Sequence, residues 1–119
     1  MKTMQSFLIF FYILDQGYEQ CKEDDLGGFL GAISPELLED GQPVDKAIFN
    51  DWQKISDPQT VDANNIMERT YTFLKYYEQE FGFDFSKTKQ WLLAIADEQV
   101  IEEAYDKTKL MYEKHKYDN

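Results

Sequence analysis

The sequence predicts an all-α fold, organised as a compact single-domain bundle of about five or six helices over residues 1–119. Apolar residues recur at spacings of three and four in most segments. No segment alternates apolar and polar residues in the way a half-buried strand does. Hydrophobic residues make up 43% of the chain and aromatic residues 16%, which is enough apolar area for one core in a domain of this length.

A first helix is expected from residue 3 to about residue 22, because Met4, Leu8 and Phe11 follow helical spacing. Ile9 and Ile13 add apolar surface to the other side of the same helix. A helix that is apolar nearly all round is normally buried. This one should therefore be central in the fold, or a partner should cover its second face.

The apolar run at residues 7–14 follows Lys2 and superficially resembles the core of a signal peptide. The residues after it are polar and bulky, so no small-residue cleavage site is present, and the run is far shorter than the ~20 residues needed to cross a bilayer. We therefore predict a buried core helix and no membrane partner. Cys21 is the single cysteine and cannot form an internal disulfide, which agrees with a cytoplasmic location.

A short second helix is expected to start at Asp24 and Asp25, where acids favour the positive end of the helix dipole. Its body contains Gly27, Gly28 and Gly31, and each glycine costs a helix about 1 kcal/mol relative to alanine. One explanation is close packing of this helix against Phe7 and Phe11 of the first helix. The other is an open, backbone-exposing surface that receives a side chain of a partner.

Prolines and a glycine divide the next segment. Ser34 and Pro35 predict a helical turn that ends at Gly41. Pro43 is then expected to open a longer helix, and Pro58 ends it. The residues expected on the apolar face of that helix are Val44, Ala47, Ile48, Trp52 and Ile55.

Aspartates mark the expected boundaries in the second half of the chain. Asp62 is predicted to cap a helix that runs to about Gly82, and Asp84 or Ser86 to cap the next helix. Asp97 either begins a last helix or lies in a kink. The apolar rows predicted for these helices are Ile66, Thr70, Phe73, Leu74, Tyr77 and Phe81; then Trp91, Leu92, Leu93 and Ile95; then Val100, Ile101, Ala104, Tyr105, Thr108, Met111, Tyr112 and His115.

The negative charge is concentrated in one stretch of the chain. From Asp15 to Asp57, eleven acidic residues stand against three lysines, which is −8 of the net charge of −11. A field of one sign attracts cationic surfaces and repels nucleic acid and anionic membrane. The sequence therefore predicts a basic protein partner and no binding of nucleic acid.

No motif for catalysis or cofactor binding is present. His115 is the only histidine, so zinc sites, di-iron sites and a histidine-based nucleophile lack their usual residues. The glycines at residues 27–31 are followed by Ala32 and not by the lysine that a phosphate-binding loop requires. We expect no enzyme activity, no catalytic or metal-binding residue, and no cofactor.

At residues 24–31 and 38–52 the chain resembles small acidic bacterial proteins of uncharacterised families, some of which are similar to immunity partners of polymorphic toxins. The resemblance implies a bacterial cytosolic setting and supplies no catalytic residues. An immunity protein would occlude a basic toxin by pairing carboxylates with its lysines and arginines. The residues expected to contact a basic partner are Asp24, Asp25, Gly28, Glu39, Asp40, Asp45 and Asp51.

Four other functional interpretations stay open from the sequence, one of which is an enzyme or a protein that binds a divalent cation through its acids. The acids could mimic nucleic acid and sequester a DNA-binding protein. The apolar first helix could belong to a structural or assembly subunit, including a homo-oligomer. Lastly, the acids could form only a solvated surface that keeps the protein soluble.

Overall fold

The computed structural model describes residues 1–117 and shows six α-helices with no β-strand among those residues. A single 3-10 turn, Pro58–Thr60, lies between the third and fourth helices. The all-α prediction is thus confirmed, within the predicted range of helix number. The helices are α1 (Thr3–Cys21), α2 (Asp24–Ile33), α3 (Lys46–Ser56), α4 (Ile66–Phe81), α5 (Ser86–Ala94) and α6 (Glu98–Lys114).

Helix α1 is the central element of the bundle. Every residue from Phe7 to Leu14 is buried, and α1 contacts each of the other five helices. The expectation of a central helix is confirmed, and the helices of the same chain cover its apolar faces. Its buried Ser6 is accommodated because the Ser6 Oγ accepts a hydrogen bond of 2.9 Å from the indole Nε1 of Trp52 on α3.

The predicted helical turn at residues 34–41 is wrong. This segment is a series of turns, in which the Ser34 Oγ accepts from the Glu36 amide at 3.2 Å and Gly41 adopts a φ of +72°. The helix expected from Pro43 begins only at Lys46, because the Asp45 carboxylate caps it by accepting from the amides of Ala47 and Ile48.

The predicted cap at Asp97 is confirmed, and α6 is a separate helix. Asp84 accepts from the backbone and hydroxyl of Ser86, the first residue of α5, but the N-cap position of α5 is Phe85, whose side chain makes no capping hydrogen bond. Asp62 instead caps a turn at residues 62–65, so α4 begins three residues later than a direct cap would place it.

The predicted apolar rows are buried or half-buried except at five positions. Val44, just before α3, is 49% exposed, and Ala47 in the first turn of α3 is also exposed, so neither belongs to the core. In the second half of the chain, Phe81, Leu93 and Ile95 are 59%, 72% and 69% exposed. Phe81 lies in the last turn of α4, and Ile95 lies just beyond the end of α5. Helix α5 turns only one narrow face towards α1, through Thr88, Trp91 and Leu92, so Leu93 points away from the core.

Candidate functional site

The predicted partner-binding residues fall on α2, on the start of α3, and on the segment between them. Asp24, Asp25 and Gly28 belong to α2, and Asp45 and Asp51 belong to the cap and second turn of α3. Glu39 and Asp40 lie in the connection, which we call the 34–45 loop. The ends of this loop are close together, because the Asp45 amide donates to the Ala32 carbonyl at 2.8 Å.

The 34–45 loop is held against the C-terminal end of α6 through Gly41. The Tyr117 hydroxyl donates to the Gly41 carbonyl at 2.8 Å, and Gly41 is buried. A Cβ at Gly41 would lie 2.5 Å from the Tyr117 hydroxyl and 2.6 Å from Cδ2 of His115, so no larger residue fits without a shift. Burial raises the pKa of Tyr117 to about 12, so its hydroxyl keeps the proton that it donates. The loop is therefore a defined surface, although it contains no helix.

The outer side of the 34–45 loop combines exposed apolar and acidic side chains. Leu37 is 63% exposed and Leu38 is 43% exposed, and both line a cleft of about 320 Å³ between the loop and α6. Glu36 and Glu39 line the same cleft. Sequence analysis did not single out Leu37 and Leu38, which it placed within the helical turn expected at residues 34–41.

Several of the predicted carboxylates already have an intramolecular role. Asp40 accepts from the Gln42 amide at 3.0 Å within the loop, and Asp45 caps α3. Asp51 accepts from the Tyr77 hydroxyl at 2.6 Å. Burial raises the pKa of Tyr77 well above its ordinary value, and the hydrogen bond to Asp51 raises it further, so the tyrosine stays the donor. These hydrogen bonds orient the carboxylates but leave their charge in place.

None of the predicted carboxylates takes part in an ion pair among residues 1–117. The three ion pairs found there join Lys22 to Glu19, Lys89 to Glu78 and Lys107 to Glu103. From residue 23 to residue 45 the chain contains no lysine or arginine. The predicted carboxylates are therefore without an ion pair among the described residues, although Lys22 and Lys87 line a cleft with Asp24 and Asp25, and Lys114 lines the loop cleft. The net charge of this surface remains negative, and such a surface attracts cationic groups.

A second acidic region lies at the start of α5, and sequence analysis did not identify it. Glu23 is 7% exposed, and its carboxylate accepts from the backbone amides of Lys87 and Thr88 at 3.0 Å and from the Thr88 hydroxyl at 2.8 Å. The Asp25 carboxylate accepts from the Asp84 amide at 2.7 Å. Asp25 therefore holds α2 against the segment before α5, in addition to its predicted contact with a partner.

The start of α5 is completed by a carboxylate from α4. Glu78 accepts from the Phe85 amide at 2.8 Å and pairs with Lys89 at 2.6 Å. Carboxylates therefore satisfy five successive backbone amides, those of residues 84–88. Amides at a helix N-terminus lack a helical partner, and a carboxylate there also favours the helix dipole. These acids stabilise the fold locally.

The glycines of α2 divide between the two explanations that the sequence left open. A Cβ at Gly27 would lie 2.8 Å from the Tyr18 ring, so Gly27 permits close packing of α2 on α1. The contact is with Tyr18 and not with the predicted Phe7 and Phe11. No atom lies within 4 Å of a Cβ placed at Gly28 or Gly31, so packing does not explain these two glycines.

The described residues were searched for metal-ligand groups, a reactive thiol and a membrane-spanning helix. Residues 1–117 contain no group of three or more His, Cys, Asp or Glu side chains that could hold a metal ion. Burial raises the pKa of the Cys21 thiol, and nearby Glu23 adds to the effect, which disfavours the reactive thiolate. In the same part of the chain, no helix is both long and apolar enough to cross a membrane.

Comparison with models of protein families, with curated proteins and with solved structures finds no match to this chain. The site is therefore interpreted from its own geometry. Its principal elements are the carboxylates of α2, the 34–45 loop and the start of α3, which form no ion pair among residues 1–117, together with exposed leucines in the loop.

Proposed function

We propose that this chain is a small acidic protein-binding module that occludes a basic protein partner in the cytoplasm, as an immunity protein does, and that it performs no catalysis. The observation that carries the proposal is the absence of any ion pair to Asp24, Asp25, Glu39, Asp40, Asp45 or Asp51 within residues 1–117. Carboxylates that form no ion pair within their own chain are suited to the lysines and arginines of another protein.

The 34–45 loop supplies the apolar part of this interface. Interfaces combine a dry apolar centre with a polar rim, and a few central side chains carry most of the binding energy. Leu37 and Leu38 fit the centre, and Glu36, Glu39 and Asp40 fit the rim. On α2, Gly28 and Gly31 leave the backbone bare, so a partner can approach it closely beside Asp24.

The experiment is co-expression of the chain with the basic proteins encoded beside its reading frame, followed by calorimetry of any complex at several salt concentrations. We expect a complex whose affinity falls steeply as salt rises, because exposed charges are screened. Changing Glu36→Gln, Glu39→Gln and Asp40→Asn together should weaken binding about tenfold or more, mainly through the association rate.

The matched control removes three exposed acids elsewhere, by Glu80→Gln, Glu98→Gln and Glu102→Gln. Both triple variants change the net charge equally, so a site-specific interface predicts a much larger loss for the loop variant. Equal losses would show that only net charge matters. Binding that is independent of salt, or no complex with any neighbouring basic protein, would contradict the proposal.

The same experiment separates the alternative functions. Duplex DNA that competes with the chain for the basic protein would favour a nucleic-acid mimic. The apolar first helix no longer favours an assembly subunit, because α1 is covered by the other helices of its own chain. A sedimentation profile that shows a self-associated species would restore that alternative.

A further inference from the structure

A second candidate site lies between the first turns of α1 and the middle of α6. The cavity there has a volume of about 520 Å³, within the range of about 300–1,000 Å³ that is typical of small-molecule sites. Ile9, Tyr105 and Tyr112 supply its apolar and aromatic lining. The cavity shares no lining residue with the cleft of the 34–45 loop, so it is a separate feature of the molecule.

Two lysines give the cavity a positive rim in a chain whose net charge is −11. Lys2 and Lys109 are exposed, and neither forms an ion pair among residues 1–117. Among residues 1–117, the lining contains one acid, Asp106. In a protein of this net charge, the two lysines give the rim a local charge that favours an anion.

The start of α1 strengthens the positive potential at the cavity, because Lys2 and Gln5 belong to its cap and first turn. No acid lies in that first turn, and no side chain caps it. By contrast, α2, α4 and α6 each carry an acid in their first turn, and aspartates cap α3 and α6. The positive end of the α1 dipole is thus left without an anionic neighbour on its own helix.

We propose that this cavity binds a small amphipathic carboxylate, with its apolar body against Ile9, Tyr105 and Tyr112 and its carboxylate beside Lys2 and Lys109. The apolar lining calls for a ligand that is more than an inorganic anion. We infer a single carboxylate from the charges of the described lining, which has two lysines, no arginine and one acid, Asp106. Multiply charged phosphates are better matched by the bidentate fork of arginine.

The test is an amide chemical-shift titration of the full chain with 4-phenylbutyrate. We expect saturable shifts at Gln5, Ile9, Tyr105 and Lys109, with a dissociation constant in the millimolar range or below. Two partial ligands serve as matched controls, because 4-phenylbutanol lacks the charge and acetate lacks the apolar body. Each should bind several-fold more weakly than 4-phenylbutyrate if both halves of the cavity are used.

Variants of the rim separate specific binding from general attraction to the protein. Lys2→Gln and Lys109→Gln should each weaken 4-phenylbutyrate binding about twofold to fivefold, as expected for exposed charge pairs. Lys116→Gln removes an exposed lysine that does not line the cavity, and it should leave binding unchanged. The proposal is overturned by non-saturable shifts, by shifts outside the cavity, by equal binding of 4-phenylbutanol or acetate, or by equal effects of all three lysine variants.

Discussion

At the start of α5, carboxylates accept hydrogen bonds from the amides of residues 84–88, whereas the exposed Glu36 and Glu39 of the 34–45 loop accept none from described residues. Both regions are acidic, but only the first uses its acids to join helices. The comparison teaches that acidic composition has two separable roles here. Acids at the α5 start stabilise the fold, and acids of the loop are available to a partner.

The sharpest test of this difference is removal of Glu23. Glu23→Ala leaves two backbone amides and the Thr88 hydroxyl without their acceptor. It should lower the free energy of unfolding by about 3 kcal/mol, from the lost cap and the unsatisfied buried groups. Chemical denaturation measures this value. Glu19→Ala is the control, because Glu19 is exposed and pairs only with exposed Lys22, and a change under about 0.5 kcal/mol is expected. Equal losses for the two variants would contradict the assigned role of Glu23.

The next largest effect is expected where the loop is anchored. Gly41→Ala should lower the free energy of unfolding by about 2 kcal/mol or more, because Gly41 has a φ of +72° and its new Cβ would meet Tyr117 and His115. Gly82→Ala provides the matched control: Gly82 has a φ of +77° but nothing within 4 Å, so only about 1 kcal/mol is expected. Thermal unfolding of both variants isolates the cost of the contact. A loss at Gly41 no greater than that at Gly82 would show that the contact with α6 does not hold the loop.

Helix α2 connects the two regions. Replacing its glycines with alanine should change the free energy of unfolding by smaller amounts, with an increase at some positions and a decrease at another. Gly28→Ala and Gly31→Ala should each stabilise the protein by about 0.5–1 kcal/mol, because nothing occupies the space of the new methyl group. Gly27→Ala should instead destabilise it, because the methyl group would meet the Tyr18 ring at 2.8 Å. Thermal unfolding measures the change in stability of each variant. If Gly28→Ala stabilises the protein and also weakens the complex with a basic partner, the exposed backbone at Gly28 contributes to binding. If Gly28→Ala destabilises the protein, Gly28 has a packing role instead.

The smallest effects are expected in the pH dependence of stability, and they too differ between the regions. Hydrogen bonds from Ser86 lower the pKa of Asp84, so its stabilising contribution is present above the ordinary pKa of about 3.9 and is lost as pH falls below it. Burial raises the pKa of Asp15; Lys107 acts in the opposite direction, and Glu36 of the loop adds to the increase. The contribution of Asp15 to stability is therefore present below that ordinary value and is lost as pH rises. Asp84→Asn should weaken the acid-side decline in stability, and Asp15→Asn should raise stability at neutral pH. The free energy of unfolding, measured from pH 2.5 to pH 7, tests both predictions. If the two substitutions change its pH dependence in the same direction, the roles given to Asp84 and Asp15 are wrong.

The helices were largely predictable because their signals are local. The apolar spacing of α1 and the aspartate before α6 act within a few residues of the chain, and the structure confirms both. The 34–45 segment was mispredicted because Ser34 and Pro35 also favour a simple turn, and because Asp45 caps α3 more effectively than Pro43 opens it.

The role of Glu23 could not be predicted in the same way. It accepts from the Thr88 hydroxyl across a separation of 65 residues, and only the packing of α5 on α1 brings the two together. The assignment of Gly27 and Gly28 has the same origin, since the position of the Tyr18 ring decides which glycine is enclosed. Gly27 and Gly28 are adjacent in the sequence but have different roles, because only Gly27 lies against the Tyr18 ring of another helix.

The sequence by itself determined the helical class, most helix boundaries, and the excess of acids between Asp15 and Asp57. Only the tertiary structure decided which of those acids accept hydrogen bonds from other parts of the fold and which stay exposed without such a bond. The physical reason is that helix formation and capping depend on neighbours within about one turn. Hydrogen bonding and charge compensation across the bundle depend on distances between residues that are far apart in the chain.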